Sequence, residues 1–105
     1  MNRPFALALL CAGSLCVHLA AQAGEIRLYT DDHFSDRAVV LRDTTDDLSR
    51  VNFNDAVSSI KVESGSWDVC TDARFGGTCE RMGPGEYNVL SNGMEGRLSS
   101  LRRLY

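Results

Sequence analysis

The sequence predicts an all-β protein, built from two copies of one segment of roughly forty residues and carried behind an export signal. Three observations lead there. The chain matches itself, without a gap, at an offset of 41 residues. Apolar and polar residues alternate with a period of two inside each copy. Helical periodicity is nearly absent, with one short turn near residues 46–50 as the best candidate.

The self-match rests on identities and on like-for-like exchanges. Thr30-Asp31 falls on Thr71-Asp72, Phe34 on Phe75, and Ser58-Ser59 on Ser99-Ser100. Around them Leu28 matches Val69, Val57 matches Leu98, Ile60 matches Leu101 and Lys61 matches Arg102. Copy one covers residues 24–63 and copy two residues 64–105.

Within copy one, Ile26 and Leu28 alternate with Arg27 and Tyr29. Val39 and Leu41 follow a turn expected at Ser35-Asp36, and Ile60 and Val62 alternate with Lys61 and Glu63. In copy two Trp67 and Val69 alternate with Asp68 and Cys70, and Gly76-Gly77 is the expected turn. Several short strands at close spacing suit a sandwich or Greek-key arrangement, two small sheets sharing one core. Trp67 matches Ile26 in the repeat and is expected in that core rather than on a carbohydrate-binding surface.

Residues 1–23 read as a signal peptide. Arg3 supplies a positive start, Phe5 to Ala20 is an uncharged apolar run, and Ala21-Gln22-Ala23 is a small-x-small cleavage site. The run is short for a membrane span. Cys11 and Cys16 each follow a leucine, which disfavours lipid attachment. The expected location is periplasmic or secreted, with no membrane partner after cleavage.

Without Arg3, ten basic residues face fourteen acidic ones, a net charge of −4. That balance argues against a nucleic-acid partner and is compatible with a cation ligand. A domain this small gains from a staple. Cys70 and Cys79 remain after cleavage and are expected to form a disulfide between adjacent hairpin strands, two free thiols being the alternative. Two cysteines are too few for a zinc site.

The hairpin segments Tyr29 to Asp36 and Cys70 to Gly77, with Phe34 and Phe75 at the same place and each followed some twenty residues later by a Ser-Ser pair, are distinctive. With Ser64-Gly65-Ser66-Trp67 between the copies and Pro84-Gly85-Glu86-Tyr87 in the second, the chain resembles the βγ-crystallin family over residues 24–105. The resemblance implies a βγ-crystallin-like sandwich of two Greek-key motifs. Gly77, and Asp36 at the matching place, would tolerate a left-handed backbone. Phe34 and Phe75 would cover folded hairpins. Tyr87 would form a tyrosine corner that copy one lacks, since Asp46 stands at the matching register.

The resemblance also implies a calcium site. Asn54-Asp55-Ala56-Val57-Ser58-Ser59 fits the Asn/Asp-Asn/Asp-x-x-Ser/Thr-Ser loop of microbial family members. Calcium takes six to eight oxygens. Asp55 would offer a carboxylate, Asn54 and Ala56 carbonyls, and Ser58 a hydroxyl, each loop being completed by the other copy through the Thr30 and Thr71 carbonyls. Copy two reads Glu95-Gly96-Arg97-Leu98-Ser99-Ser100. Glu95 and Ser99 retain oxygens there, but Gly96 has lost a side-chain ligand and Arg97 adds a positive charge. One usable site and one weak or lost site are expected. The alternative is a structural loop whose serines bond only to backbone.

No enzymatic constellation is apparent. His33 sits in a hairpin loop, and the Asp31-Asp32 and Asp46-Asp47 pairs read as solvated. The expected function is a non-enzymatic, calcium-binding, structural or stress-protective protein. A rival on the same fold is a protease inhibitor or killer-toxin-like protein acting on an unknown protein target through residues 83–96.

Overall fold

A computed structural model describes residues 24–105. The expected signal peptide, residues 1–23, lies outside the described residues. Seven strands follow in order: β1 (Glu25–Asp31), β2 (Ser35–Leu41), β3 (Ser59–Ser64), β4 (Trp67–Cys70), β5 (Cys79–Met82), β6 (Gly85–Tyr87) and β7 (Ser100–Arg103). Short 3-10 turns occupy Leu48–Val51 and Ala73–Phe75. Among the described residues no helix is long and apolar enough to cross a membrane.

The strands form two antiparallel sheets, one ordered β2-β1-β3-β6 and the other β5-β4-β7. The period-two pattern explains which faces meet. Ile26 and Leu28 of β1 are fully buried while Arg27 between them is half-buried, and Trp67 and Val69 of β4 repeat that arrangement. Positions 41 apart share the core between the sheets: Ile26 and Trp67, Leu28 and Val69, Phe53 and Met94, Val57 and Leu98, Ile60 and Leu101. Trp67 is a core residue, as expected, and its Nε1 donates to the Ser64 carbonyl at 3.0 Å.

Each copy sends the segment after its first hairpin to the other copy's sheet, as strand β6 from copy two and as a single bridge at Thr45 from copy one. β6 belongs to copy two but pairs with β3 of copy one, Ile60 opposite Tyr87 and Lys61 opposite Glu86. Reciprocally, Thr45 of copy one bridges to Leu101 of β7. These crossings correct the gapless repeat. Thr45 occupies the place of Tyr87, Arg74 N–H donates to Asp46 where His33 N–H donates to Asn88, and Leu48 N–H donates to Ser99 where Leu90 N–H donates to Ser58. The spatial offset is therefore 42 through this stretch and returns to 41 by Phe53 and Met94. The residue opposite the tyrosine corner is Thr45, not Asp46. Tyr87 forms the expected corner, its hydroxyl donating to the Gly83 carbonyl at 2.7 Å.

The hairpin turns also lie earlier than expected. Ser35 and Asp36 already belong to β2. The chain reverses at residues 32–34 and 73–75, where His33, Phe34, Arg74 and Phe75 all take left-handed backbone, with φ of 55°, 61°, 55° and 64°. A left-handed non-glycine residue costs about 1–2 kcal/mol. Two buried serines hold these turns. Ser59 Oγ accepts from Phe34 N–H at 3.0 Å and donates to the Asp31 carbonyl at 2.6 Å. Ser100 Oγ does the same for Phe75 and Asp72 at 3.0 and 2.6 Å. Each phenylalanine ring lies under a cation from the same sheet, Lys61 over Phe34 at 4.6 Å and Arg102 over Phe75 at 4.5 Å. Gly77 and Asp36 are left-handed as expected, at φ 75° and 68°.

Candidate functional site

The loops 54–58 and 95–99 meet across the pseudo-two-fold axis of the sandwich. Asp55 N–H donates to the Leu98 carbonyl and Gly96 N–H to the Val57 carbonyl, both at 2.9 Å. These bonds are counterparts at the 41-residue offset, so each loop is anchored by the other copy. Asp55 is left-handed at φ 53° and Gly96 at φ 69°. The next anchors are equally paired. Ser58 N–H donates to the Tyr29 carbonyl and Ser99 N–H to the Cys70 carbonyl, again both at 2.9 Å.

This arrangement sorts the candidate oxygens into two groups. Ser99 Oγ lies 3.3 Å from Asp55 Oδ1. The carboxylate of copy one is thus partnered with the hydroxyl of copy two, and through Ser99 with Cys70 and its neighbour Thr71. By the same symmetry Ser58 goes with Gly96, Tyr29 and Thr30. The first group has the Asp55 carboxylate, and at the matching place the second has Gly96, which carries none.

The first group suits a hard cation. The carbonyls of Asn54, Ala56 and Thr71 accept no hydrogen bond from the described residues, leaving their lone pairs available. Ser99 is buried, Ala56, Ser58 and Thr71 are half-buried, and Asn54 and Asp55 face solvent. Among the described residues no three of His, Cys, Asp and Glu converge. Glu95 and Arg97 are both exposed, beside the group that lost its carboxylate.

The hairpins behind the two groups are braced differently. In copy one the Thr30 hydroxyl donates to Asp36 Oδ2 at 2.6 Å and accepts from Arg37 N–H at 3.0 Å. In copy two Thr71 Oγ1 accepts from Thr78 N–H at 3.0 Å, and Gly77 stands where Asp36 would be. Cys70 and Cys79 are directly opposite each other in the β4–β5 ladder and are joined by a disulfide, with Cα atoms 4.0 Å apart. Tyr29 and Ala38 hold the matching register in copy one.

Sequence reasoning missed two groups. Arg37 lies over the Phe53 ring at 4.7 Å and donates to the Asn52 carbonyl at 3.4 Å, bracing the approach to Asn54. Its counterpart is Thr78, so the repeat gave no signal for it. Asp46 and Asp47 are not merely solvated. Asp46 pairs with Arg50, and Asp47 caps the 3-10 turn by accepting from Ser49 N–H at 3.0 Å and its hydroxyl at 2.6 Å. The hydroxyl, then the N–H, holds the Asp47 carboxyl below the ordinary carboxylate range.

Two antiparallel sheets that exchange a segment between copies, latched by equivalent buried serines, define a two-motif Greek-key sandwich. The Beta/Gamma crystallin family model matches residues 25–104, and the chain belongs to that family. A beta/gamma-crystallin of Ciona intestinalis is 38% identical over 82 residues, covering 76% of this chain and 98% of its own. A solved beta gamma crystallin from the same organism superposes with a TM-score of 0.73 at 36% identity, covering 77% of this chain and all of that one. A betagamma-crystallin from an archaeon gives a TM-score of 0.72 at 32% identity, covering 78% and 99%.

Proposed function

We propose that this is an exported, non-enzymatic βγ-crystallin domain that binds calcium mainly at one site and is stabilised by it. The observation that carries this reading is the Asp55 carboxylate set against the Ser99 hydroxyl, beside carbonyls that accept no hydrogen bond from the described residues. Calcium supplies a fixed positive charge that draws these oxygens together. Asp55 provides the charged ligand, Ser99 the hydroxyl, and Asn54, Ala56 and Thr71 neutral carbonyls. The Ser58, Thr30 and Glu95 side has Gly96 in place of the carboxylate and binds weakly.

An ion held by two loops from different copies binds the folded state and not the unfolded one. At one hundred times the dissociation constant it adds about 2.7 kcal/mol of stability. Isothermal titration and thermal melting in calcium against chelator test this. Heat at a stoichiometry near one, a higher melting midpoint, and loss of both in Asp55→Asn are expected. No heat and no midpoint shift would remove the calcium reading and leave a structural domain. Export is tested separately, by fractionation and by N-terminal sequencing for a start at Gly24.

A further inference from the structure

We infer that the Cys70–Cys79 disulfide is a positioning element for the calcium site, so that the thiol–disulfide state of this one bond tunes calcium affinity. The inference rests on the calcium reading above and concerns the regulation of that same site.

The path from sulfur to site is short and made of adjacent backbone groups. The Cys70 carbonyl accepts from Ser99 N–H at 2.9 Å, and the Ser99 hydroxyl meets the Asp55 carboxylate at 3.3 Å. Thr71, whose carbonyl accepts no hydrogen bond from the described residues, is the next residue after Cys70. Whatever holds Cys70 in place therefore sets one carbonyl directly and one hydroxyl through a single hydrogen bond.

The two copies show what holds it. Copy one ties its hairpin with the bond between the Thr30 hydroxyl and the Asp36 carboxylate. Copy two cannot make that bond, because Gly77 has no side chain, and an added Cβ there would stand 2.3 Å from Thr71 Oγ1. Beyond the disulfide and the β4–β5 and β4–β7 ladders, which both end at Cys70, Thr71 is tied to the opposite arm among the described residues through Thr78, by N–H to carbonyl and by N–H to Oγ1, both at 3.0 Å. The covalent staple thus lies under the group that kept its carboxylate. The group that lost its carboxylate is framed by the unlinked Tyr29 and Ala38. Holding ligands in place before the ion arrives strengthens binding by removing the ordering cost.

Reduction is chemically open. Cys79 is exposed while Cys70 is buried. A dithiol reductant attacks Cys79 Sγ as its thiolate. The Sγ–Sγ bond breaks, and Cys70 leaves as a thiolate that takes a proton. The second thiol of the reductant then closes on the first and releases Cys79. Two electrons and two protons pass to the protein, and the reductant becomes a cyclic disulfide.

Calcium titration of the purified protein before reduction, after dithiothreitol and after reoxidation tests the inference, with amide hydrogen exchange recorded in chelator. All states are compared at a temperature where near-ultraviolet circular dichroism is native. The dissociation constant should rise about five- to tenfold on reduction and return on reoxidation. Ser99 N–H should exchange faster in the reduced, calcium-free protein, while its counterpart Ser58 N–H is unchanged. The double variant Cys70→Ala/Cys79→Ala should behave as the reduced protein and covers the case in which free thiols disturb folding. Equal affinity in the two states, or equal loss of protection at Ser58 and Ser99, would overturn the positioning role and leave calcium binding standing. Absence of calcium binding in the disulfide form would overturn the calcium reading itself, and the inference with it.

Discussion

The two copies agree where the chain must fold and differ in the loops of the proposed calcium site. Ser59 and Ser100 are both fully buried and make the same pair of bonds, to within the same tenth of an ångström. Four residues before each of them the copies part, with Asp55 in one loop and Gly96 in the other. The latch answers a demand of the backbone, since a left-handed Phe needs an anchored N–H, and both hairpins carry that demand. The loop side chain answers no such demand, because Asp55 N–H and Gly96 N–H make equivalent bonds whichever side chain they carry. Similarity between copies marks the fold, and the difference falls at the proposed site.

The comparison can be broken at four depths. The deepest is the shared core. Trp67→Ala should cost about 3–5 kcal/mol in urea unfolding, because it removes a fully buried indole from the shared core. The next is the latch. Ser59→Ala and Ser100→Ala each strand a buried donor and acceptor and should cost about 1–3 kcal/mol. In the disulfide form the two costs should be comparable, and Ser100→Ala should become the larger once the bond is reduced, because copy two has no counterpart of the Thr30–Asp36 bond.

A third test sharpens the difference between the loops. Gly96→Asp returns the missing carboxylate. An added Cβ there has no atom within 4 Å, so the cost is only that of a left-handed non-glycine residue, about 1–2 kcal/mol. Calorimetric stoichiometry should rise from one calcium toward two. The smallest effect is on the acid side. The Asp47 pKa is lowered on folding, so its contribution is present above the unfolded carboxylate value of about 3.9 and is lost as pH falls through the folded value. Asp47→Asn should flatten that acid-side slope in melts taken across the same range and leave stability at neutral pH little changed.

The repeat made the sandwich readable, because matched apolar positions such as Ile26 and Trp67, or Ile60 and Leu101, meet at one core. The strand exchange was not readable. β6 is three residues long and its counterpart is the single bridge at Thr45, too little for a period-two pattern to register. The turns lie earlier than the usual turn formers glycine, serine and aspartate indicate. The left-handed residues are instead His33, Phe34, Arg74 and Phe75, held by serines 25 residues further along the chain. The candidate oxygens could be named from the loop pattern. Their grouping could not, since Asp55 and Ser99 are 44 residues apart and meet only through the symmetry of the whole domain.

That exchange of segments between copies bears on what a single copy could be. Residues 24–63 alone would leave β3 without β6 and would send Thr45 toward a partner that was not there. An unpaired edge of this kind recruits another chain. Two identical one-copy chains could satisfy each other by trading the same strand about a two-fold axis, as an isologous dimer does. The domain is such a dimer written on one chain. Halves that share a polypeptide need not be identical, and here copy two carries both the disulfide and Gly96 while copy one carries Asp55.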